Sequence, residues 1–183
     1  MDVVLTITGE YNGDLYGYLV HDSGFAVLLN RVGRATGTPA GYGDAGMTAV
    51  VLNDAAATDI HAYGGGGVPS GSFQPDGRNI SPLATVGTFD TASRLALLSA
   101  FNGMTDGNGS WTLFIADVSG GDVSQLTSWT LDIAAVPEPA ALIEASVAAL
   151  FFGGAICFFR LKRGGTNPLA ACRKAATDWV NAV

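Results

Sequence analysis

The sequence GSWTLFIADVSGGDVSQLTSWTLDI, residues 109–133, decides the fold class of this chain. Apolar side chains alternate with other residues in both of its halves, at Trp111, Leu113 and Ile115 and then at Trp129, Leu131 and Ile133. A period of two is typical of β-strands that bury one face. Because a tryptophan buries a large apolar area, we expect Trp111 and Trp129 to anchor the core.

Apolar segments upstream of residue 109 predict further short strands. They lie at residues 3–8, 15–20, 25–30 and 48–52, and turn-forming residues separate them. Residues 94–101 fit either a strand or a short helix. Residues 64–79 begin with four glycines and predict a long irregular loop. Many short strands without a long amphipathic helix predict an all-β fold, an antiparallel β-sandwich over residues 1–135.

Residues 136–163 differ in composition from the rest of the chain. An apolar run at residues 140–159 lies between Val136-Pro137-Glu138-Pro139 and the basic residues Arg160, Lys162 and Arg163. An apolar helix of about 20 residues can cross a bilayer, and Lys/Arg beyond its end mark the cytoplasmic side. The pattern predicts a transmembrane helix at residues 140–159 with the β domain outside. A buried core helix is the alternative, since Glu144 interrupts the run.

The charge of the chain is unevenly distributed. The 183 residues carry a net charge of −7, and residues 1–136 contain 13 acidic but only four basic side chains. A nucleic-acid partner is disfavoured, because phosphate binding needs clustered Lys and Arg. Cys157 and Cys172 both lie in or after the apolar run, so the β domain has no disulfide framework.

The two ends of the chain give further expectations. The first residues, MDVVLTITGEY, lack the basic and apolar regions of a secretory signal peptide, so we expect a fragment or a miscalled start codon. Residues 164–183 are expected to form a short cytoplasmic tail, either a helix on the membrane surface or a disordered end.

The order of Pro137-Glu138-Pro139, apolar helix and basic cluster resembles the PEP-CTERM sorting signal of exported proteins in Gram-negative bacteria. In that family the signal is recognised by exosortase, a membrane cysteine protease that would cut near the Pro-Glu-Pro motif. The resemblance implies passage through the inner membrane and a final place at the cell surface or outside the cell. It also implies a recognition element for another enzyme, formed by Val136, Pro137, Glu138, Pro139, Arg160, Lys162 and Arg163.

A second resemblance covers most of residues 1–135. The motifs that carry it are Gly13-Asp14-Leu15, Leu52-Asn53-Asp54-Ala55-Ala56, Phe101-Asn102-Gly103, Gly109-Ser110-Trp111-Thr112-Leu113 with Asp117, and Leu126-Thr127-Ser128-Trp129-Thr130-Leu131. They resemble the P domain, or homo B domain, of subtilisin-like proprotein convertases. This implies a jelly-roll-like β-sandwich beside a protease, with the family's opening strands missing here. The Asp, His and Ser motifs of a subtilase cannot be found, so we expect no catalytic activity.

One short segment has the start of a calcium-loop pattern. Residues 106–110 place oxygen side chains at alternate positions, but Trp111 stands where an EF-hand needs glycine. A calcium site built by sandwich loops is a hypothesis with the ligands Asp14, Asp54, Asp106 and Asp117. The alternative is that these aspartates cap turns by accepting hydrogen bonds from nearby backbone amides.

Two other patterns predict no site. The consecutive residues His21, Asp22 and Ser23 point in different directions from a strand end and do not predict a hydrolytic triad. The glycine run lacks the preceding strand, following helix and lysine of a phosphate-binding loop.

These observations predict a non-catalytic, exported or cell-surface β-sandwich module that is sorted through its C-terminal segment. The alternatives are an accessory domain for a subtilisin-like protease and a carbohydrate- or matrix-binding module, since β-sandwiches serve as scaffolds for many functions. The expected partners are an exosortase-type protease, the membrane, and either extracellular polysaccharide or a separate protease.

Overall fold

The computed structural model describes residues 1–22, 24–104, 107–121 and 123–134. The predicted sorting segment at residues 136–163, including the helix at 140–159, lies outside the described residues. The tail at residues 164–183, Ser23 and Asp106 lie outside them as well. Among the residues so described, no helix is long and apolar enough to cross a bilayer.

The described residues form mostly β structure, in two sheets. The strands are β1 (Asp2–Thr8), β2 (Leu15–His21), β3 (Gly24–Asn30), β4 (Met47–Leu52), β5 (Ser70–Phe73), β6 (Thr112–Asp117) and β7 (Gln125–Asp132). One sheet has the order β5-β4-β1-β7 and the other β3-β2-β6. One α-helix, α1 (Val86–Thr91), and 3-10 turns at Asn12–Asp14, Ile60–Ala62 and Leu98–Phe101 lie between strands. The all-β prediction is confirmed at this level.

Period-two alternation explains the core faces of β1 and β2. Val3, Leu5 and Ile7 are buried and alternate with partly exposed neighbours, as the sequence predicts. Leu15 and Leu19 do the same on β2, and side chains from both sheets meet in one hydrophobic core. Burial of these side chains is the main favourable contribution to folding.

Strand β3 is buried on both faces, which accounts for its continuous apolar sequence AVLL. Its free edge is covered by two loops rather than by a strand. The amide of Val27 donates to the carbonyl of Ala96 over 2.8 Å, and the amide of Asp76 donates to the carbonyl of Leu28 over 3.0 Å. The loops around residues 76 and 96 therefore belong to the structural core.

The loop expected at residues 64–79 needs correction, whereas residues 94–101, expected to be a strand or a short helix, contain a short 3-10 helix. Residues 64–79 are not wholly irregular, because β5 lies within them and pairs in parallel with β4. Its sequence SGSF has no apolar alternation, so only the partner strand defines it. Residues 94–101 end in the 3-10 turn Leu98–Phe101, where the Asp54 carboxylate accepts hydrogen bonds from the amides of Leu98 and Ser99.

The prediction of two tryptophan core anchors is half right. Trp111 packs against the core and stacks on His21, with ring centroids 4.2 Å apart. Trp129 is 38% exposed, so its assignment as a core anchor is wrong. Trp129 lies opposite Leu5 and hence on the same side of the sheet, but β7 is the edge strand of the described sheet, and within the described residues no further strand shields the ring.

We expect Leu19→Ala to lower the free energy of unfolding by about 2–5 kcal/mol, because it removes buried methyl groups and leaves a cavity. Leu19 is fully buried, whereas Leu83 is 74% exposed, so Leu83→Ala is the matched control and should change stability by less than about 0.5 kcal/mol. Urea denaturation of both variants measures the difference. Equal effects of the two substitutions would contradict the described core.

Candidate functional site

A buried network of charged side chains is centred on Asp76, which has no solvent exposure. One carboxylate oxygen of Asp76 lies 2.6 Å from Nδ1 of His61, and the other lies 3.3 Å from the guanidinium of Arg78. The Arg78 amide also donates to that second oxygen over 3.2 Å. Because an unpaired buried carboxylate is costly, these contacts are what allow Asp76 to lie in the interior.

Asp59 and Arg94 extend the network. The Asp59 carboxylate lies 3.0 Å from the Arg78 guanidinium and 3.2 Å from Nε of Arg94. Arg94 also donates to the carbonyl oxygens of Pro75 and Asp76, over 2.7 and 2.9 Å. Two arginines and two aspartates thus fasten three separate loops to one another.

His61 is held from both sides of its ring. Its Nδ1 faces the Asp76 carboxylate, and its Nε2 lies 3.1 Å from the carbonyl oxygen of Arg34. The ring stacks on Phe89 of α1, with centroids 5.9 Å apart. A catalytic His–Asp pair needs its second ring nitrogen free for a nucleophile, whereas here the Arg34 carbonyl occupies that position. The geometry is that of a structural clamp between α1 and the loops.

The network was missed by the sequence analysis, because its members are scattered and follow no local pattern. The composition of the β domain did give an indication of the network, in its small number of basic residues. The four basic residues before residue 136 are all arginines, and each of Arg31, Arg34, Arg78 and Arg94 hydrogen-bonds within the domain. Scarce cations in an acidic domain are candidates for buried pairing, since buried charges are usually paired.

Three of the predicted calcium ligands, Asp14, Asp54 and Asp117, lie in the described residues, and each of them already contacts another group of the protein. Asp14 forms an ion pair of 2.9 Å with Arg31, and Asp54 accepts hydrogen bonds from the backbone at Leu98 and Ser99. Asp117 accepts a hydrogen bond from the Ser119 amide over 3.2 Å. Within the described ranges, no group of three or more His, Cys, Asp or Glu side chains is placed to hold a metal ion.

Asp14 and Asp117 are near neighbours, since Leu15 pairs with Asp117 in the β2–β6 ladder. Burial raises the pKa of the Asp14 carboxyl; Arg31 opposes the rise and Asp117 adds to it. The guanidinium of Arg31 thus supplies positive charge next to the carboxyls of Asp14 and Asp117, where a calcium ion would otherwise do so. The contacts of Asp54 and Asp117 fit the alternative of turn capping, while Asp106 lies outside the described residues and calcium binding stays a hypothesis.

The consecutive residues His21 and Asp22 do not build a catalytic arrangement in the described part of the chain. His21 is buried against Trp111, and its Nε2 lies 2.9 Å from the carbonyl oxygen of Asn108. Asp22 is exposed in the turn between β2 and β3. His21 thus joins the β2 end to the loop before β6.

The glycine run at residues 64–67 wraps around a carboxylate of the protein itself. Asp44 accepts hydrogen bonds from the amides of Gly66 and Gly67, over 3.1 and 2.7 Å, and from the hydroxyl of Tyr63 over 2.7 Å. All four glycines have positive φ, which places successive amides around an anion. An internal carboxylate thus takes the position that a phosphate would have in a nucleotide site.

Four aromatic side chains lie on the outer side of the β3-β2-β6 sheet, and we call them the aromatic face: Tyr16, Tyr18, Phe25 and Phe114. Tyr18 lies between Phe25 and Phe114 on the two flanking strands, with centroid distances of 5.3 and 4.8 Å. Tyr16 meets Tyr18 along β2, with centroids 5.9 Å apart. Phe114 is 40% exposed. The rings form a row across all three strands.

The row leads into an open groove of about 580 Å³ next to Phe25. The groove is lined by Phe25, Asn79, Ile80, Ser93, Leu95 and Ala96. This volume lies within the range typical of ligand sites. Neither the groove lining nor the described outward positions of the aromatic face include a charged side chain. An exposed apolar surface with a polar rim is typical of an interaction site.

Comparisons with known proteins give no match for this chain. No family model, no curated protein and no solved structure matches it. The resemblances to the sorting signal and to the P domain therefore depend on the motif residues themselves.

We expect Asp76→Ala to lower the free energy of unfolding by about 3–5 kcal/mol, because it leaves Arg78 and His61 without their buried partner. Glu10→Ala is the control, since it removes an exposed carboxylate and should have little effect. Urea denaturation followed by circular dichroism gives both values. A change below about 1 kcal/mol for Asp76→Ala would show that the network does not hold the fold.

Proposed function

We propose that this chain is a non-catalytic β-sandwich module that is exported and sorted through its C-terminal segment. The observation that carries the proposal is the order of elements along the chain. Strand β7 ends at Asp132, and the sequence Val136-Pro137-Glu138-Pro139 follows almost at once. A sorting protease that cut at this motif would release the β domain without removing any of its strands.

The chemistry of residues 136–163 supports this order. Two prolines flank Glu138, and because proline restricts the backbone dihedral angles, they would limit the conformations that a protease has to recognise. The apolar run at residues 140–159 is long enough to hold the chain in a bilayer during that reaction. Arg160, Lys162 and Arg163 would keep the following residues on the cytoplasmic side.

The acidic β domain suits an exported position. Its four arginines are engaged inside the fold, so the described surface offers little attraction to nucleic acid or to anionic headgroups. We also propose that the β domain is a jelly-roll-like sandwich of the P-domain kind. Its two sheets and the motif residues within them support this architecture.

We expect the exported protein to end near Pro137-Glu138-Pro139 when it is produced, behind a functional signal peptide, in a bacterium that has an exosortase. The test is intact-mass measurement of the protein recovered from outside the cell. Replacing all three motif residues by alanine should leave the full-length chain in the membrane fraction. Asp132→Ala, which changes a nearby carboxylate upstream of the motif, is the matched control and should be processed normally.

A full-length C-terminus at Val183 in the exported material would contradict processing at this motif. Equal processing of the triple-alanine variant and the control would contradict recognition of Pro137-Glu138-Pro139. Deleting the exosortase gene from the same host shows whether exosortase or another protease cuts the chain. If exosortase is the enzyme, the uncut chain should accumulate in the membrane of the deletion strain.

The aromatic face favours a second candidate function, which is binding of an uncharged polysaccharide. Aromatic rings pack against the apolar faces of sugars, while Tyr hydroxyls and the nearby Asn79 and Ser93 can hydrogen-bond to sugar hydroxyls. The row of rings crosses all three strands and shares Phe25 with the groove, so several successive sugar units could contact it. A negatively charged domain with no charge on this face is complementary to a neutral polymer rather than to an anionic one.

We expect the β domain to be retarded in a native gel that contains a soluble neutral glucan such as hydroxyethyl cellulose. The double substitution Tyr18→Ala and Phe114→Ala should abolish the retardation, because it removes the centre of the row. Trp129→Ala, an exposed aromatic on the other sheet, is the matched control and should bind as the native protein does.

Thermal melts show whether each variant is folded. An absence of retardation with neutral glucans and also with neutral galactans would contradict polysaccharide binding. A concentration-dependent dimer that the double substitution abolishes would instead assign the aromatic face to a second copy of the chain.

A further inference from the structure

Asparagine followed by glycine occurs three times in the β domain, at Asn12-Gly13, Asn102-Gly103 and Asn108-Gly109. At such pairs the backbone nitrogen of the glycine can attack the side-chain amide carbon, since no Cβ on the glycine hinders the approach. We propose that Asn102 is a site of self-modification, at which the side-chain amide is converted to a carboxylate by this intramolecular reaction.

The environment of Asn102 permits the reaction. Asn102 and Gly103 are both exposed, and a Cβ added at Gly103 would meet nothing within 4 Å. In the described part of the chain, the Asn102 side chain accepts and donates no hydrogen bond, and no backbone bond uses the Gly103 amide. Asn102 has φ −67° and ψ 141°, so ring closure requires rotation about ψ, and the open turn at Gly103 leaves room for it.

Asn12-Gly13 has the same sequence but the opposite environment. Asn12 is fully buried, and its side chain donates to the carbonyl of Gly46 over 2.8 Å. The amide of Gly13 donates to the carbonyl of Tyr42 over 2.8 Å, and a Cβ at Gly13 would lie 2.3 Å from the carbonyl of Ala40. The attacking nitrogen is engaged and the backbone cannot rotate, so Asn12 is protected and serves as an internal control.

The third pair lies between these extremes. Asn108 is exposed, but its carbonyl oxygen lies 2.9 Å from Nε2 of the buried His21. This contact restrains the backbone at Asn108. We therefore infer the order of reactivity Asn102 first, Asn108 second and Asn12 last.

The reaction balances without any external oxidant or reductant. The Gly103 nitrogen gives its proton to hydroxide and forms a bond to the side-chain carbon of Asn102. The amide nitrogen then takes a proton from water, which regenerates hydroxide, and leaves as ammonia. This closes a five-membered succinimide. Water then adds to one of the two ring carbonyls and opens the ring, giving aspartate or, when the main-chain carbonyl is attacked, isoaspartate. The net change is gain of water and loss of ammonia.

The product alters the loop after the 3-10 turn Leu98–Phe101. It adds a negative charge to an already acidic domain, and isoaspartate adds one methylene to the backbone next to Phe101, which lies in the core. This consequence rests on the export proposed above, since a domain held outside the cell would accumulate the change with time.

The experiment incubates the folded full-length chain in mildly alkaline and in mildly acidic buffer and follows acidic isoforms by isoelectric focusing. The acidic isoform should appear faster in the alkaline buffer, because the attacking nitrogen must lose a proton. Fragment-ion mass spectra should place the change at residue 102, and labelling by an isoaspartyl methyltransferase should find isoaspartate there. Asn102→Gln should abolish this isoform, since the longer side chain closes a less favourable ring.

Two results would overturn the proposal. One is modification of Asn12 as fast as that of Asn102 in protein that is still folded, as judged by circular dichroism. The other is an acidic isoform that persists unchanged in Asn102→Gln and maps to Asn108. Asn108→Gln is the matched variant, and it should leave the isoform at residue 102 unchanged.

Discussion

The position of Asp76 in the interior is the constraint on which much of this structure depends. Its backbone amide continues the hydrogen bonding of β3 by donating to the carbonyl of Leu28. Its side chain has no solvent exposure, forms an ion pair with Arg78 and lies within hydrogen-bond distance of His61. Asp76 therefore connects the edge strand β3 to the buried network of charged side chains. The loops that cover β3 are fixed because the charges inside them cannot be left unpaired.

The network also determines where a ligand surface can exist. It holds the loop around residue 76 and, through Arg94, the loop that follows α1. These loops bury Val27 at the edge of the sheet while Phe25 opens into the groove. The loops held by the network thus supply most of the groove lining, and Phe25 is the residue of the β3-β2-β6 sheet that lines it. A binding surface placed on such a rigid frame loses little conformational entropy when it is occupied.

Local patterns predicted the strands well, and long-range relations explain what they missed. Alternation in Val3, Leu5 and Ile7 identifies β1 and its buried face, because that information lies within a few residues. Alternation cannot show which strand lies at the edge of a sheet. Trp129 is exposed because it lies on β7, which is an edge strand. Strand β5 is defined by its pairing with the backbone of β4 rather than by its own sequence. The contact between Asp76 and His61 likewise joins residues that are not neighbours in sequence. No local rule contains such pairings, so composition can point to the scarce arginines, but their partners can be identified only in the folded chain.

The separation of charge along the sequence joins the fold to the proposed export. Inside residues 1–134 the arginines are fastened to aspartates or carbonyls, so positive charge serves cohesion there. The only lysines, Lys162 and Lys174, lie beyond the apolar run at residues 140–159. In the proposed export, the cations after the apolar run would set its orientation in the bilayer. The aromatic face carries no charged side chain at its described outward positions, so the polysaccharide recognition proposed for it would depend on ring contacts and hydroxyl groups rather than on ion pairs.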